Sequence, residues 1–253
     1  MTHSIFTSKE LQLNRIYNVD CLKLMSNMKA GSIDLIFADP PYNLSKSDLA
    51  LNFVKTGGKQ LSTNKGEWDF FTPDSFEKFN KQWLEESFRI LRPGGAIWVS
   101  GTYHNIYQIG FLMKKIGFEI LNEIIWYKVD ATPNLSCTRF VADHENFIWA
   151  RKSKGNTFNY QEMKKLNGGT QMRSTWMSPK RLDDTRIHPT QKPCWILERI
   201  IRATTNPKDI VFDPFMGSAT TAVVAKKLNR NFIGAEKNKE YFQLAQKRIL
   251  CTN

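Results

Sequence analysis

Short apolar, β-branched segments alternate with amphipathic helical segments along this chain, and that alternation limits the folds open to it. Strands are predicted at residues 32–37, 95–100, 119–126, 146–150, 210–213 and 231–235. Helices are predicted at 75–91, 105–116, 194–203, 219–228 and 239–250. Strands that alternate with helices usually pair in parallel and carry helices on both faces of the sheet. The sequence therefore predicts an α/β fold with a mostly parallel, doubly wound sheet.

Two polar stretches without clear periodicity interrupt this alternation. At 253 residues the chain is long enough for one large core, so we expect a single domain over residues 1–253. Residues 43–69 are expected to form a mobile loop, because long segments without periodicity are often functional loops. Residues 152–186 are polar and basic, and we interpret them as a small inserted recognition region.

The cysteines and histidines give no sign of a metal site. The four cysteines are far apart and form no CxxC pair, and the four histidines are equally scattered. We therefore expect no metal and no disulfide framework. No apolar run reaches the roughly 18 residues of a membrane helix, and the N-terminal residues lack the apolar core of a signal peptide. A cytoplasmic protein that does not contact a membrane is expected.

The charge is strongly basic, with a formal net charge of +12 and a pI of about 9.5. Such an excess serves solubility, but it also favours a phosphate-rich polyanion as partner. The excess of basic over acidic residues is concentrated between residues 151 and 192. Candidates for contacts to nucleic acid, chosen by residue type, are Arg139, Arg173, Lys180 and Arg181.

The stretch IFADPPYNL, residues 36–44, ends the first predicted strand in an unusual way. One proline is enough to stop a strand, because it lacks an amide hydrogen. Two prolines followed by Tyr42 make a rigid turn that holds Asp39 and the Tyr42 ring at the carboxyl edge of the sheet. Open α/β folds bind their ligands at that edge. Taken alone, the motif is equally consistent with a strand that simply ends there.

A second stretch, residues 210–221, predicts a cofactor site. Its strand ends in Asp213, a turn follows through Gly217, and a helix begins with small hydroxylated residues. A helix start binds a carboxylate and a strand-end acid binds an ammonium group, so a zwitterionic amino-acid moiety fits both. Glu236 ends the next strand, where an acid accepts hydrogen bonds from ribose hydroxyls. A nucleoside cofactor is predicted; NAD and ATP need the same acid, but neither of their glycine-rich fingerprints is present.

Three motifs together carry a family resemblance. Residues 39–42 (DPPY), 186–193 (RIHPTQKP) and 213–218 (DPFMGS), in this order, resemble the β class of amino-methyltransferases, which modify exocyclic nitrogens of DNA bases with S-adenosylmethionine. The resemblance extends from Asn18 to about Arg248. It implies a Rossmann-like methyltransferase fold with a circularly permuted motif order. Ala219 departs from the family, which usually has a second glycine there; alanine is tolerated if its φ is negative.

The resemblance also implies roles for individual residues. Those expected to receive the target base are Asp39, Pro40, Pro41 and Tyr42. Those expected around the cofactor are Asp20, Cys21, Asp39, Thr190, Lys192, Asp213, Phe215, Gly217, Ser218 and Glu236. Trp68 and Asp69 either help to hold the base or anchor the loop.

The implied reaction is methyl transfer from S-adenosylmethionine to N6 of a flipped-out adenine in DNA, with S-adenosylhomocysteine as product. Asp at the first position of DPPY resembles adenine-N6 members more than cytosine-N4 members. Several segments, such as 133–137, resemble adenine methyltransferases of restriction–modification systems that act within GATC. The expected partner is duplex DNA, and single-stranded DNA also fits. A homodimer and a cognate restriction endonuclease without a required contact are further expectations.

Two alternatives remain open. One is the same enzyme class acting on cytosine N4 or on RNA. The other is a catalytically silent module that binds nucleic acid; the intact Asp39, Tyr42, Asp213 and Glu236 argue against it.

Overall fold

The computed structural model describes residues 11–43, 50–51, 61–62, 71–131, 133–134, 137–178 and 191–252. The strands are β1 (Arg15–Tyr17), β2 (Ile33–Ala38), β3 (Ala50–Leu51), β4 (Leu61–Ser62), β5 (Leu91–Gly101), β6 (Glu119–Tyr127), β7 (His144–Arg151), β8 (Thr175–Met177), β9 (Ile210–Asp213) and β10 (Asn231–Ala235). The helices are α1 (Cys21–Met25), α2 (Pro73–Ile90), α3 (Ile106–Ile116), α4 (Tyr160–Leu166), α5 (Cys194–Thr204), α6 (Thr220–Lys227) and α7 (Lys239–Leu250).

Eight strands form one sheet in the order β1-β10-β9-β2-β5-β7-β6-β8. Only β7 runs against its neighbours, since it pairs antiparallel with both β5 and β6, and the other pairs of this sheet are parallel. Every predicted strand and helix is present, with ends shifted by a few residues. The predicted α/β fold with a mostly parallel sheet is therefore confirmed.

Helices cover both faces of the sheet because neighbouring strand residues point to opposite sides. On one face Ile36 packs in a cluster with Trp83 of α2 and Ile109 of α3. On the other, Phe37 packs in a cluster with Ile200 of α5. The sheet is thus doubly wound, as predicted. Among the described residues, no helix is both long and apolar enough to cross a membrane.

Four elements of the main sheet and its helices were not predicted from the sequence: β1, α1, α4 and β8. Each is short, from three to seven residues, and so lacks the repeats that define a helical or strand period. Strand β1 is nevertheless well placed, because it pairs in parallel with β10 at one edge of the sheet.

The described part of the predicted recognition insertion is built into the fold. Helix α4 is tied to α5 through Asn159, whose side chain donates hydrogen bonds to the backbone carbonyls of Arg202 and Thr205, each at 2.8 Å. Strand β8 pairs in parallel with β6, and the buried Trp176 lies 5.9 Å from Trp98 between ring centroids. A role in recognising DNA stays a prediction, and residues 179–186 lie outside the described part.

The predicted mobile loop, residues 43–69, is described only in part. Strands β3 and β4 pair antiparallel, with Ala50 opposite Ser62 and Leu51 opposite Leu61. Residues 44–49, 52–60 and 63–70 lie outside the described residues, and so does the Trp68–Asp69 pair to which a role was assigned.

Replacement of Trp176 by alanine tests whether β8 belongs to the core. Trp176 is 5% exposed, so Trp176→Ala should lower the free energy of unfolding by about 3–5 kcal/mol in a urea titration. The neighbouring Met177 is 65% exposed, and Met177→Ala should change it by less than about 0.5 kcal/mol. Equal effects of the two substitutions would contradict this packing.

Candidate active site

The two sequence motifs meet at one edge of the sheet because β2 and β9 are neighbours. These strands pair in parallel, with Leu35 opposite Val211 and Ile36 opposite Phe212. Asp39 follows β2 directly and Asp213 ends β9, so both acids lie at the carboxyl edge. The segment before α5 links them further, since Ser218 Oγ lies 3.5 Å from Gln191 Oε1 and the next residue, Lys192, contacts Asp39.

Tyr42 closes the DPPY turn on its own acid. Its hydroxyl donates to Asp39 Oδ1 at 2.7 Å and lies 2.7 Å from Ser100 Oγ, at the end of β5. Burial raises the pKa of Tyr42 well above its ordinary value, and the negative charge of Asp39 raises it further. The hydroxyl therefore stays protonated and remains a donor to Asp39.

Lys192 lies inside this cluster. Its Nζ is 2.8 Å from Asp39 Oδ2, 3.1 Å from the Tyr42 hydroxyl and 3.2 Å from Glu145 Oε2. Burial alone would lower the pKa of Lys192, but Asp39, Glu145 and Tyr42 outweigh it and raise the pKa well above its usual value. Lys192 is thus a buried ammonium group. The position beside the methionine tail implied by the resemblance stays a prediction.

Sequence reasoning missed Glu145, Ser100 and Lys128. Glu145 stands near the start of β7, and its carboxylate pairs with Lys128 as well as with Lys192. Burial alone would raise the pKa of Glu145, but the two lysines lower it to about 2. An acid near the start of a buried strand indicates a site residue only if that strand is known to be antiparallel. The amino end of such a strand, here β7, lies at the edge of the sheet where the parallel strands have their carboxyl ends.

The second motif forms a turn around two carboxylates, the buried Asp213 and the half-buried Glu236. Asp213 Oδ1 accepts a hydrogen bond from the Phe215 amide at 2.9 Å, and Oδ2 accepts one from Thr221 Oγ1 at 2.5 Å. Burial raises the pKa of Asp213 to about 7 despite these bonds. Glu236 accepts from the amides of Gly217 and Asn238 at 2.8 and 2.7 Å, and burial raises its pKa as well.

Alanine at position 219 was expected to be tolerated if its φ is negative, and its φ is positive. Ala219 has a φ of +64°, in the left-handed region that costs a residue with a Cβ about 1–2 kcal/mol. The strained turn is held from α7, where Arg248 Nη1 donates to the Ser218 carbonyl at 3.0 Å and to Thr220 Oγ1 at 2.9 Å. The turn therefore keeps its shape without a second glycine.

Three further predicted cofactor residues are Asp20, Cys21 and Phe215. Asp20 caps α1 by accepting from the Leu22 amide at 3.0 Å, and burial raises the pKa of the Cys21 thiol to about 12. The Phe215 ring lies edge-on to Trp83, with 5.5 Å between ring centroids. Asp20 is close to the Glu236 strand end, because Lys237 Nζ lies 3.7 Å from Asp20 Oδ2.

The candidate DNA-contacting residues are only partly described. Arg139 and Arg173 are exposed, and Arg139 donates to the Tyr103 hydroxyl at 3.2 Å. Lys180, Arg181 and the predicted cofactor residue Thr190 lie outside the described residues. Within the described part of the chain, no three His, Cys, Asp or Glu side chains are grouped as metal ligands.

Known proteins resemble this chain in sequence. A family model for N6 and N4 DNA methylases matches residues 33–247. The type II methyltransferases M2.DpnII of Streptococcus pneumoniae and M2.LlaDCHI of Lactococcus lactis subsp. cremoris are each 44% identical over 243 residues, which cover 92% of this chain and 88% of the relative. The chain belongs to the DNA methylase family. It is a DNA methyltransferase, as its motifs predicted.

Solved structures agree with this assignment. The M1.HpyAVI–SAM complex is 29% identical and superposes with a TM-score of 0.65, over 93% of this chain and 98% of that one. The cytosine-N4-specific PvuII DNA methyltransferase gives a TM-score of 0.75 over 94% and 86% of the two chains. At 20% identity, that second likeness shows the fold alone. The predicted methyltransferase fold is confirmed.

Arg248 offers a test of how the strained turn is held. Arg248→Met removes its hydrogen bonds to Ser218 and Thr220, which should lower the free energy of unfolding by about 1–3 kcal/mol in a urea titration. The adjacent exposed Lys247 provides the matched control, and Lys247→Met should change it by less than about 0.5 kcal/mol. Equal values for the two variants would mean that Arg248 does not support the turn.

Proposed function

We propose that this enzyme transfers a methyl group from S-adenosylmethionine to N6 of an adenine flipped out of DNA. One observation carries the proposal: a hydrogen-bonded Asp39–Tyr42 turn stands beside the Asp213 carboxylate at one sheet edge. The first turn has the acceptors that an amino group needs. The second has the carboxylates that a nucleoside bearing an amino acid needs.

The residues around the second turn fit S-adenosylmethionine. Asp213 is a desolvated carboxylate, and a cationic ammonium group is the ligand that best stabilises its charged form. Each Glu236 oxygen accepts one amide hydrogen bond and keeps a further lone pair for a ribose hydroxyl. M1.HpyAVI has been solved with this cofactor. When bound, the cofactor supplies a methyl group activated by the positive sulfonium, and S-adenosylhomocysteine is its product.

The chain's own residues act on the target amino group. The lone pair of N6 is delocalised into the adenine ring, so the amine is a poor nucleophile. The Asp39 carboxylate and the Pro40 carbonyl accept hydrogen bonds from its two N–H groups and favour a more tetrahedral, nucleophilic nitrogen. Pro41 keeps the Pro40 carbonyl aimed, and the Tyr42 ring stacks on the flipped base.

The proposal assigns adenine rather than cytosine because a DPPY motif that begins with Asp39 resembles those of adenine-N6 members more than those of cytosine-N4 members. The resemblance described above makes GATC the first sequence to test, and a modification role in a restriction–modification system follows from the likeness to type II methyltransferases. Such an enzyme acts on duplex DNA in the cytoplasm, with Arg139, Arg173, Lys180 and Arg181 as candidate contacts. A homodimer and a cognate endonuclease stay predictions.

Nucleoside mass spectrometry tests the reaction. The purified enzyme with S-adenosylmethionine and unmethylated DNA, duplex or single-stranded, should yield N6-methyladenine. Asp39→Ala should lower the yield by at least about 100-fold, since it removes the acceptor at the reacting nitrogen. Asp143→Ala, at a partly exposed acid before β7, is the control and should keep full activity. N4-methylcytosine would refute the base assignment, and DNA binding without any methylated product would favour the silent module.

Cofactor affinity should depend on pH through Asp213. Its pKa of about 7 means that the carboxylate takes up a proton as the pH falls, whereas the cofactor's amino group stays protonated below pH 7. Between pH 7 and 5.5 the Kd of S-adenosylmethionine should therefore rise towards about tenfold per pH unit in calorimetric titrations. Asp213→Asn should bind weakly with a flat profile. If the Kd of the wild type did not change with pH, Asp213 would not be the residue that binds the ammonium group.

A further inference from the structure

Glu145 is a buried acid for which the proposed reaction has no use. Its side chain is only 13% exposed, and its carboxylate meets the Lys192 ammonium at 3.2 Å and the Tyr42 hydroxyl at 3.5 Å. Lys128, which directly follows β6, pairs with the other carboxylate oxygen. The acid is thus fixed from both sides and faces the catalytic turn.

Lys192 is shared between two carboxylates. Its side chain is 9% exposed, and its Nζ lies 2.8 Å from Asp39 and 3.2 Å from Glu145. A buried ammonium group that loses its only anionic partner is strongly unfavourable. With two partners, Lys192 can leave one of them and stay paired.

Such a departure would make Asp39 a stronger acceptor for the proposed reaction. Both Asp39 oxygens already accept hydrogen bonds, Oδ1 from Tyr42 and Oδ2 from Lys192. An ammonium group on the carboxylate neutralises much of its charge and weakens it as an acceptor for a neutral amino group. While Lys192 stays on Asp39, the target amino group therefore meets a weakened acceptor.

We propose that Glu145 is a positioning residue of the methyl-transfer site: it holds the Lys192 ammonium while Asp39 accepts a hydrogen bond from the target amino group. This inference rests on the proposed function of Asp39. Glu145 touches no reacting atom, and it acts through Lys192.

The groups that face Lys192 are few among the described residues. Asp39 and Tyr42 follow β2, Ser100 lies at the end of β5 beside Tyr42, and Glu145 comes from β7. Lys128 stands behind Glu145 and Asp213 behind Asp39. Removal of the Glu145 charge leaves Asp39 as the anion in contact with Lys192.

Single-turnover methylation measures the effect directly. Glu145→Gln should lower the methylation rate by about 10- to 100-fold, because Lys192 then stays on Asp39. The Kd values for S-adenosylmethionine and DNA should stay within about twofold of the wild type, and Glu145→Asp should recover part of the rate. The control is Glu119→Gln: this exposed acid pairs with Arg151 at the far end of β7, and its loss should leave the rate unchanged.

The pH profile separates positioning from mere structural support. In Glu145→Gln the pKa of Lys192 should fall, since burial favours the neutral amine and one opposing anion is gone. As the pH is raised, the variant should therefore regain rate at a lower pH than any corresponding change in the wild type. A variant profile parallel to that of the wild type would overturn the proposal.

Further outcomes are distinguishable. Wild-type rates in Glu145→Gln would refute the role of Glu145 while leaving the proposed function intact. Failure of the wild type to form N6-methyladenine would instead refute the proposed function. If Glu145→Gln does not fold, the double variant Lys128→Gln with Glu145→Gln removes the ion pair as a unit, and the same slow rate with normal cofactor binding is expected.

Discussion

The parallel pairing of β2 with β9 is the constraint on which the site depends. It sets the DPPY turn beside the turn that follows Asp213, although the two lie far apart in sequence. The antiparallel strand β7 then brings the start of its own segment, with Glu145, to the same edge. A change of register at β2 would separate the catalytic acid from the cofactor turn, so the buried apolar residues of these strands are as necessary for function as the acids.

The charge at this edge of the sheet is opposite in sign to the net charge of the whole molecule. The chain carries a net charge of +12, which suits a polyanionic partner. The edge, however, carries four acids (Asp39, Glu145, Asp213 and Glu236), and two lysines, Lys128 and Lys192, pair with Asp39 and Glu145. With all four acids ionised, four negative charges minus two positive ones leave two negative charges. A bound cofactor with a sulfonium, an ammonium and a carboxylate group carries a net charge of +1 and offsets part of this negative charge. Burial raises the pKa of Asp213, and the negative charges of Asp39 and Glu236 raise it further, so a cation beside this carboxylate stabilises its charged form.

The sequence allowed much of this to be predicted, for reasons that particular residues make clear. Strands β2, β9 and β10 are apolar runs that end in an acid, and helices α2 and α5 have a clear apolar period, so their existence followed from pattern alone. The three-residue strands β1 and β8 have no period to detect. Trp176 lies within the segment predicted to be a basic recognition insertion. The polar and basic residues of that segment gave no indication that the Trp176 side chain is buried in the core.

The residues of the candidate site also divide into those that could be predicted from the sequence and those that could not. Asp39, Tyr42, Asp213 and Glu236 stand in motifs whose spacing indicates their place at strand ends. Glu145 stands in no motif, and its position depends on the antiparallel direction of β7, a tertiary property. Ala219 adopts the left-handed conformation that its residue type disfavours, because Arg248 on the last helix supports the turn.

The central claim is that Asp39 and Pro40 receive an adenine amino group. A crystal structure with S-adenosylhomocysteine and a GATC-containing duplex tests it most directly. The account predicts an extrahelical adenine with N6 within hydrogen-bond distance of an Asp39 oxygen and the Pro40 carbonyl, stacked on Tyr42, with Lys192 closer to Glu145 than to Asp39. An extrahelical cytosine at this turn, or an adenine bound away from Asp39, would contradict it.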